Sequence, residues 1–293
     1  MSNIDFIFEE RAADIGNFLV GRLLPFRQKR SIGPFVFIDH MGPAHLSKKE
    51  NFDVGPHPHI GLATLTFLFE GAIHHRDTIG SDIIIKPGAV NWMVAGKGVV
   101  HSERTPDALR YTEKSLHGLQ IWVALPKKEE DIAPSFHHID KEDIPNWQDG
   151  PLKFRLIAGE FIGKTSPVPV HSRLFMIEIS AEEDATVDLR GELFGESGLY
   201  ILQGSVDNQG HSYGDKQILI TKDAELCTFD IKKGSIIYLF GGEPFPEERY
   251  IYWNFVSSDK SKIETAKEDW IQDRFDKIAG ETDRVPLPGS TNK

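Results

Sequence analysis

The sequence predicts an all-β-dominated protein, folded as sandwiches or barrels, with one helix near the C-terminal end. Two observations predict this. Short runs rich in Val, Ile, Phe and Thr recur along the chain, among them "FVFIDHMG", "ATLTFLFEG", "DIIIKPG", "GLQIWVALP", "RLFMIEIS", "GLYILQGSVDNQG" and "GSIIYLFGG". Gly, Pro, Asp and Asn punctuate them closely, as in stacked or closed antiparallel sheets. Helical period is convincing only in "KIETAKEDWIQDRFDKI", where Ile263, Ala266, Trp270, Phe275 and Ile278 form an apolar stripe.

At 293 residues the chain is long enough for roughly two domains. The stretch from Leu125 to Phe154 is rich in charge and proline and lacks strand alternation, so it reads as the connection between them. The expected domains are 1–135 and 136–293, with the helix in the second. Similar hairpin segments, "EGAIHHRDTIGS" and "QGSVDNQGHSYGD", suggest a weak internal duplication. The histidines break that symmetry. Ten of the 12 lie at or before position 138, and only His171 and His211 follow. Metal chemistry therefore belongs to the first domain.

Composition removes several function classes. A hydrophobic share of 40% with 26% charged residues is that of an ordinary soluble globular chain. The 33 Lys and Arg against 44 Asp and Glu give a net charge of −11, which repels phosphate backbones and argues against direct nucleic-acid binding. The one compact basic stretch, Arg27–Arg30, reads as a solvated loop. A single cysteine, Cys227, excludes an internal disulfide and a cysteine-rich zinc site, and its alternating surroundings make it a buried thiol. The first residues carry acids early and lack the order of a secretory signal. No apolar run approaches the ~20 residues of a membrane helix, and a cytoplasmic location is expected.

The segment "GPHPHIGLATLTFLFEG", Gly55–Gly71, puts two histidines, each preceded by proline, at the head of an apolar run. Taken alone it fits a turn, a polar pair in the core, or half of a metal site. As a strand it would point His57 and His59 to one face, followed there by Gly61, Ala63, Leu65, Phe67 and Phe69. That face would begin with ligands, open into space and end on an apolar floor. Pro56 and Pro58 cannot donate ladder hydrogen bonds, which suits an irregular strand entry or a free edge. "AGKGVVHSERTP" then places His101 and Glu103 two residues apart, again on one face. Three imidazoles and a carboxylate suit a divalent Fe, Ni, Cu, Mn or Zn ion and leave coordination positions open.

Other candidates read as structural. His74 and His75 are expected to be solvated or to support the ligands from behind, because neither is given a partner two residues on. Asp39 and His40 close a strand, and Trp92 and Met93 pack beneath the site. Lys97 sits in a hairpin, and His137 and His138 in the connection are expected to be exposed.

The ordered motifs "RSIGPFVFIDHMGP", "HPHIGLATLTFLFEGAIHHRDTIGS", "IKPGAVNWMVAGKGVVHSE" and "GLQIWVALP" resemble the pirin family of the cupin superfamily across Gly33 to Pro126. A looser likeness continues through "GGEPFPEERYIYWNFVSSDKSKIETAKEDWIQDRF". The resemblance implies two cupin-type β-barrels (a bicupin), with one metal, iron most often, in the N-terminal barrel only. It implies His57, His59, His101 and Glu103 as its ligands. Where the general cupin motif has a carboxylate shortly after His-x-His, this chain has Gly61–Thr64, and Glu103 takes that role, as pirins have it. The implied activity is a quercetin 2,3-dioxygenase-like oxidation, in which a flavonol such as quercetin is opened by O2 with release of CO and Glu103 serves as base. A second implied role is a metal-containing regulator that binds a protein partner such as a transcription factor. A zinc-dependent cupin isomerase is the weakest of the three, because no phosphate-binding loop is evident.

Overall fold

In a computed structural model, residues 4–15, 18–221 and 228–289 are described. Cys227 lies outside them. Strand is the dominant regular structure of the described residues, with one α-helix, Lys260–Ile271.

The chain forms two compact units. One comprises Met1–Arg11, Arg22–Phe37 and Ile139–Phe245; the other comprises Ala12–Gly21, Ile38–His138 and Pro246–Lys293. The expected division at 135/136 is therefore modified at both ends of the chain. The strand Ile4–Glu9 pairs with Gln217–Thr221 and so joins the later unit. The helix, expected in the second domain, joins the earlier one. Its buried residues Ile263, Ala266 and Trp270 pack with Ile60, Val100 and Phe255. Both exchanges have the same cause: an apolar segment follows the surface that buries it, not its position in sequence.

Within the first of these units an eight-stranded sheet faces a four-stranded one, and a shared apolar core fills the space between. In the other unit a seven-stranded sheet faces the four-stranded sheet made of Asp53–His59, Val99–Arg104, Ile73–Asp77 and Asp82–Ile85, in that order. The sheets stack as cupin-type β-sandwiches without closing edge to edge by hydrogen bonds, a looser form of the expected barrels.

The long strand expected from His57 to Phe69 is broken. Asp53–His59 and Leu62–Glu70 belong to different sheets, and Gly61 makes the corner with φ +67°. A side chain there would bring its Cβ to 2.0 Å from the Val256 carbonyl oxygen, so only glycine fits. The corner shifts the inward-facing set. Leu68, not Phe67 or Phe69, joins Met41, Phe52, Ile73, Ile85 and Leu116 in the apolar floor. The prolines find an explanation in the sheet order, since Asp53–His59 is an edge strand. An edge strand can lack N–H donors without losing ladder bonds.

The helix starts at Asp259, whose side chain accepts from the Ser261 N–H at 2.8 Å. It stops short of the expected stripe, because Asp273 adopts φ +57° and turns the chain. Phe275 and Ile278 still pack against the same cluster from the segment that follows.

Candidate metal centre

Three neighbouring strands present polar side chains to one face. In the ladder His101 lies opposite His57 on one side and Asp77 on the other, while Glu103 lies opposite His75. Cross-strand partners share a face, so register alone gathers these five residues, and His59 follows by alternation. The ladder shifts between His101 and Glu103, a bulge that takes up an extra residue in the proline-containing edge strand.

The ligand-type atoms of His57, His59 and His101 lie within 4.8 Å of one another, and all three residues are buried. Glu103 belongs to a second, overlapping set with His101 and His75 within the same limit. His101 is common to both. His57 Nδ1 donates to the Gly55 carbonyl at 2.8 Å, which leaves its Nε2 as a free lone pair. The Nε2 atoms of His59 and His101 face each other at 3.0 Å. Nδ1 of His59 is buried without a hydrogen bond of normal geometry, and the nearby Asn254 main chain opposes part of the effect of burial on the ring.

Burial is the main cause of the electrostatics here. It depresses His57 from 6.5 to about 4, and His59 and His101 well below 6.5, with neighbouring imidazoles adding to the effect. Burial pushes the Glu103 carboxyl up, against the opposing pull of His75 and of the Thr66 hydroxyl. Three converging imidazoles that resist protonation, two of them with Nε2 atoms 3.0 Å apart, form a nitrogen-rich pocket that suits a divalent cation. The residues fit such an ion.

The surroundings come mainly from the facing sheet. Thr66 Oγ1 lies 3.3 Å from Glu103 Oε1 and 2.8 Å from Gln120 Oε1. One hydroxyl proton cannot serve two acceptors. Turning the Gln120 amide, so that its NH2 donates to Thr66, lets Thr66 donate to Glu103. Trp122 meets His59 edge to face at 5.1 Å, and Phe136 stacks on His75 at 4.6 Å.

Of the two places expected for His75, solvated or behind the ligands, the structure has the second. His75 has a partner two residues on, since its Nε2 meets Asp77 Oδ2 at 3.0 Å, and it is only 2% exposed. The signal was the alternation in "HHRD", read as a hairpin tip. Thr66, Gln120 and Trp122 carried no local signal. His74 pairs with Asp82 at the surface, and His40 meets His117 at 2.8 Å. Met93 packs with Ala95, Val99 and Phe136, whereas Trp92 is buried on the opposite side of its strand. Of the connection histidines, His137 is exposed. His138 is half-buried in the strand Ser135–Ile139, where it bonds Asn91 at 2.6 Å, because the apparent linker supplies an edge to the seven-stranded sheet. Lys97 is exposed.

Comparison with known proteins gives a consistent picture. The family description "Pirin" matches residues 17–123, and "Pirin C-terminal cupin domain" matches residues 176–276. A pirin-like protein of Caulobacter vibrioides is 47% identical across 97% of this chain and 99% of its own length. A pirin-like protein of Solanum lycopersicum is 28% identical across 86% of this chain and 85% of its own. Among solved structures, quercetin 2,3-dioxygenase from Acinetobacter baumannii superposes with a TM-score of 0.86 at 35% identity, covering 98% of this chain and 97% of that one.

Proposed function

The chain belongs to the pirin family, and from that premise we propose that it is a metal-dependent dioxygenase that opens the ring of a flavonol such as quercetin. The observation that supports this reading is the buried set of His57, His59 and His101, with Glu103 close to His101 on the same sheet face, in a chain similar to a solved quercetin 2,3-dioxygenase. These four residues would hold the ion, with iron as the metal proposed. Bound there, a divalent ion supplies Lewis acidity toward the flavonol 3-hydroxyl and 4-carbonyl and open positions for substrate and O2.

The protein's own groups prepare the rest. His57 Nε2 is kept proton-free by the Gly55 contact, and burial keeps the three imidazoles neutral at physiological pH. Glu103 would take the 3-hydroxyl proton on a carboxylate oxygen that the ion leaves free. Thr66 holds that carboxylate from the facing sheet. Trp122 supplies an aromatic wall beside His59, and Phe136 and Met93 help exclude water from the layer behind.

The test is an oxygen-electrode assay of the Fe²⁺-loaded protein with quercetin, with CO measured in parallel. Wild type should consume O2 and release CO, while Glu103→Gln and His101→Ala should not. Equal turnover by all three would overturn the reading. Metal bound through these ligands without turnover would instead favour regulation of a protein partner.

A further inference from the structure

His75 and Asp77 adjoin the four proposed ligands and are not among them. Asp77 is 4% exposed and both of its oxygens are committed: Oδ1 accepts from the Ile79 N–H at 3.1 Å and the Ser81 N–H at 2.8 Å, and Oδ2 faces His75 Nε2 at 3.0 Å. His75 Nδ1 in turn faces His101 Nδ1 at 3.3 Å, and His101 Nε2 points at His59. Four groups therefore stand in line, and the direction of donation along the line follows from its carboxylate end.

A carboxylate only accepts, so His75 Nε2 must carry the hydrogen that it donates to Asp77. A His75 ring that carries that hydrogen alone offers a bare Nδ1, which accepts from His101 Nδ1–H. That leaves the lone pair of His101 on Nε2, the atom aimed at His57 and His59. We infer that Asp77 and His75 form a positioning relay that sets the tautomer of His101 so that its Nε2 is ready to bind a metal ion. A ring nitrogen's role as ligand is set by the bond that the other nitrogen makes, and here that bond is relayed through a second imidazole. The inference rests on the metal-site reading above, but concerns residues outside the four ligands.

Asp77→Asn is the discriminating variant because it keeps shape and reverses polarity. Its amide oxygen would stay on the Ile79 and Ser81 N–H groups, which leaves its NH2 to donate to His75 Nε2. His75 would then carry hydrogen on Nδ1 and donate to His101, forcing the His101 hydrogen onto Nε2. An isosteric change at the far end of a relay thus inverts the near end, as the wrong tautomer does in a catalytic triad.

Two measurements test the relay. Long-range ¹H–¹⁵N spectra of the metal-free protein should place the His101 hydrogen on Nδ1 in wild type and on Nε2 in Asp77→Asn. Zn²⁺ affinity, read by competition with a chelating dye, should fall about 10–100-fold in Asp77→Asn and in His75→Ala. The double variant should be no weaker than the weaker single one, since the two residues act as one unit.

An unchanged His101 tautomer in Asp77→Asn, with wild-type Zn²⁺ affinity, would overturn the inference. So would loss of Zn²⁺ in His75→Ala with none in Asp77→Asn, which would make His75 itself a ligand. Failure of the metal-site reading is distinguishable: His57→Ala would then bind Zn²⁺ as wild type does, while the metal-free spectra would still decide the relay.

Discussion

In the unit that ends at Phe245, the space between the sheets is closed by Phe154, Phe161, Phe175 and Phe229 with Leu, Ile and Val around them. In the other unit the equivalent space grades from an apolar floor of Leu68, Ile73, Ile85 and Met41 to a polar end of His57, His59, His75, Asp77, His101 and Glu103. Both are sandwiches of a large sheet on a four-stranded one. The difference teaches that this architecture tolerates either filling, and that the polar filling carries an energetic cost. Buried imidazoles and a buried carboxylate lose hydration that only a ligand or a hydrogen-bond network restores. The apolar interior is read as a stabilising partner and the polar one as the working site.

Three experiments would break or sharpen that comparison. The largest effect is expected from Phe175→Ala, fully buried among the aromatic rings of the filled interior. The truncation should cost about 3–5 kcal/mol in chemical denaturation. Zn²⁺ affinity of the molecules that remain folded should be unchanged; a parallel loss of affinity would show that the filled interior serves the site directly.

Next comes acid sensitivity of the metal-free protein. His57 falls from 6.5 to about 4 on folding, so between these pH values the unfolded chain binds the extra proton. Stability is therefore complete above pH 6.5 and lost as pH falls toward 4, by about 3 kcal/mol for this residue. His59 and His101 act in the same direction. Glu103, raised on folding, acts oppositely and offsets part of the loss. Hydrogen exchange followed by mass spectrometry should show residues 53–104 losing protection through this window before residues 152–242 do. Simultaneous loss in both would remove the distinction.

The smallest effect is expected from Glu281→Ala, which concerns the outer face of the ligand-bearing sheet. Glu281 accepts from Ser102 Oγ, which alternates between His101 and Glu103, and from Arg104 Nη2 at 2.6 Å. Val285 N–H donates to the Pro56 carbonyl beside His57 at 2.9 Å. The segment after the helix thus clamps the strands whose other side carries the ligand-type residues. Removing the carboxylate should cost about 1–3 kcal/mol, discounted because Arg104 is partly solvated, and should weaken Zn²⁺ binding with it. Lost stability with unchanged binding would confine the clamp to folding.

The cluster was legible to different degrees. His57, His59, His101 and Glu103 could be placed on strand faces because alternation is a local property, complete within three residues. Pirin likeness was legible for the same reason, in ordered short motifs. For His75 only the alternatives, solvated or supporting the ligands from behind, were legible, because its neighbours Glu103 and His101 lie on another strand. The floor was misassigned because a single residue of bend at Gly61 changes which alternate set faces inward, and Thr66 rather than Leu65 then faces Glu103.

By itself, then, the sequence determined the β-rich class, the concentration of histidines before position 138, and which residues along each strand share a face. Those are consequences of composition and of a two-residue repeat. Only the tertiary structure decided that the strand Ile4–Glu9 and the helix exchange units, that Glu281 clamps from behind, and that Asp77 reaches His101 through His75. Each depends on register or packing between segments far apart in the chain, and one residue of shift in register would turn every side chain to the opposite face.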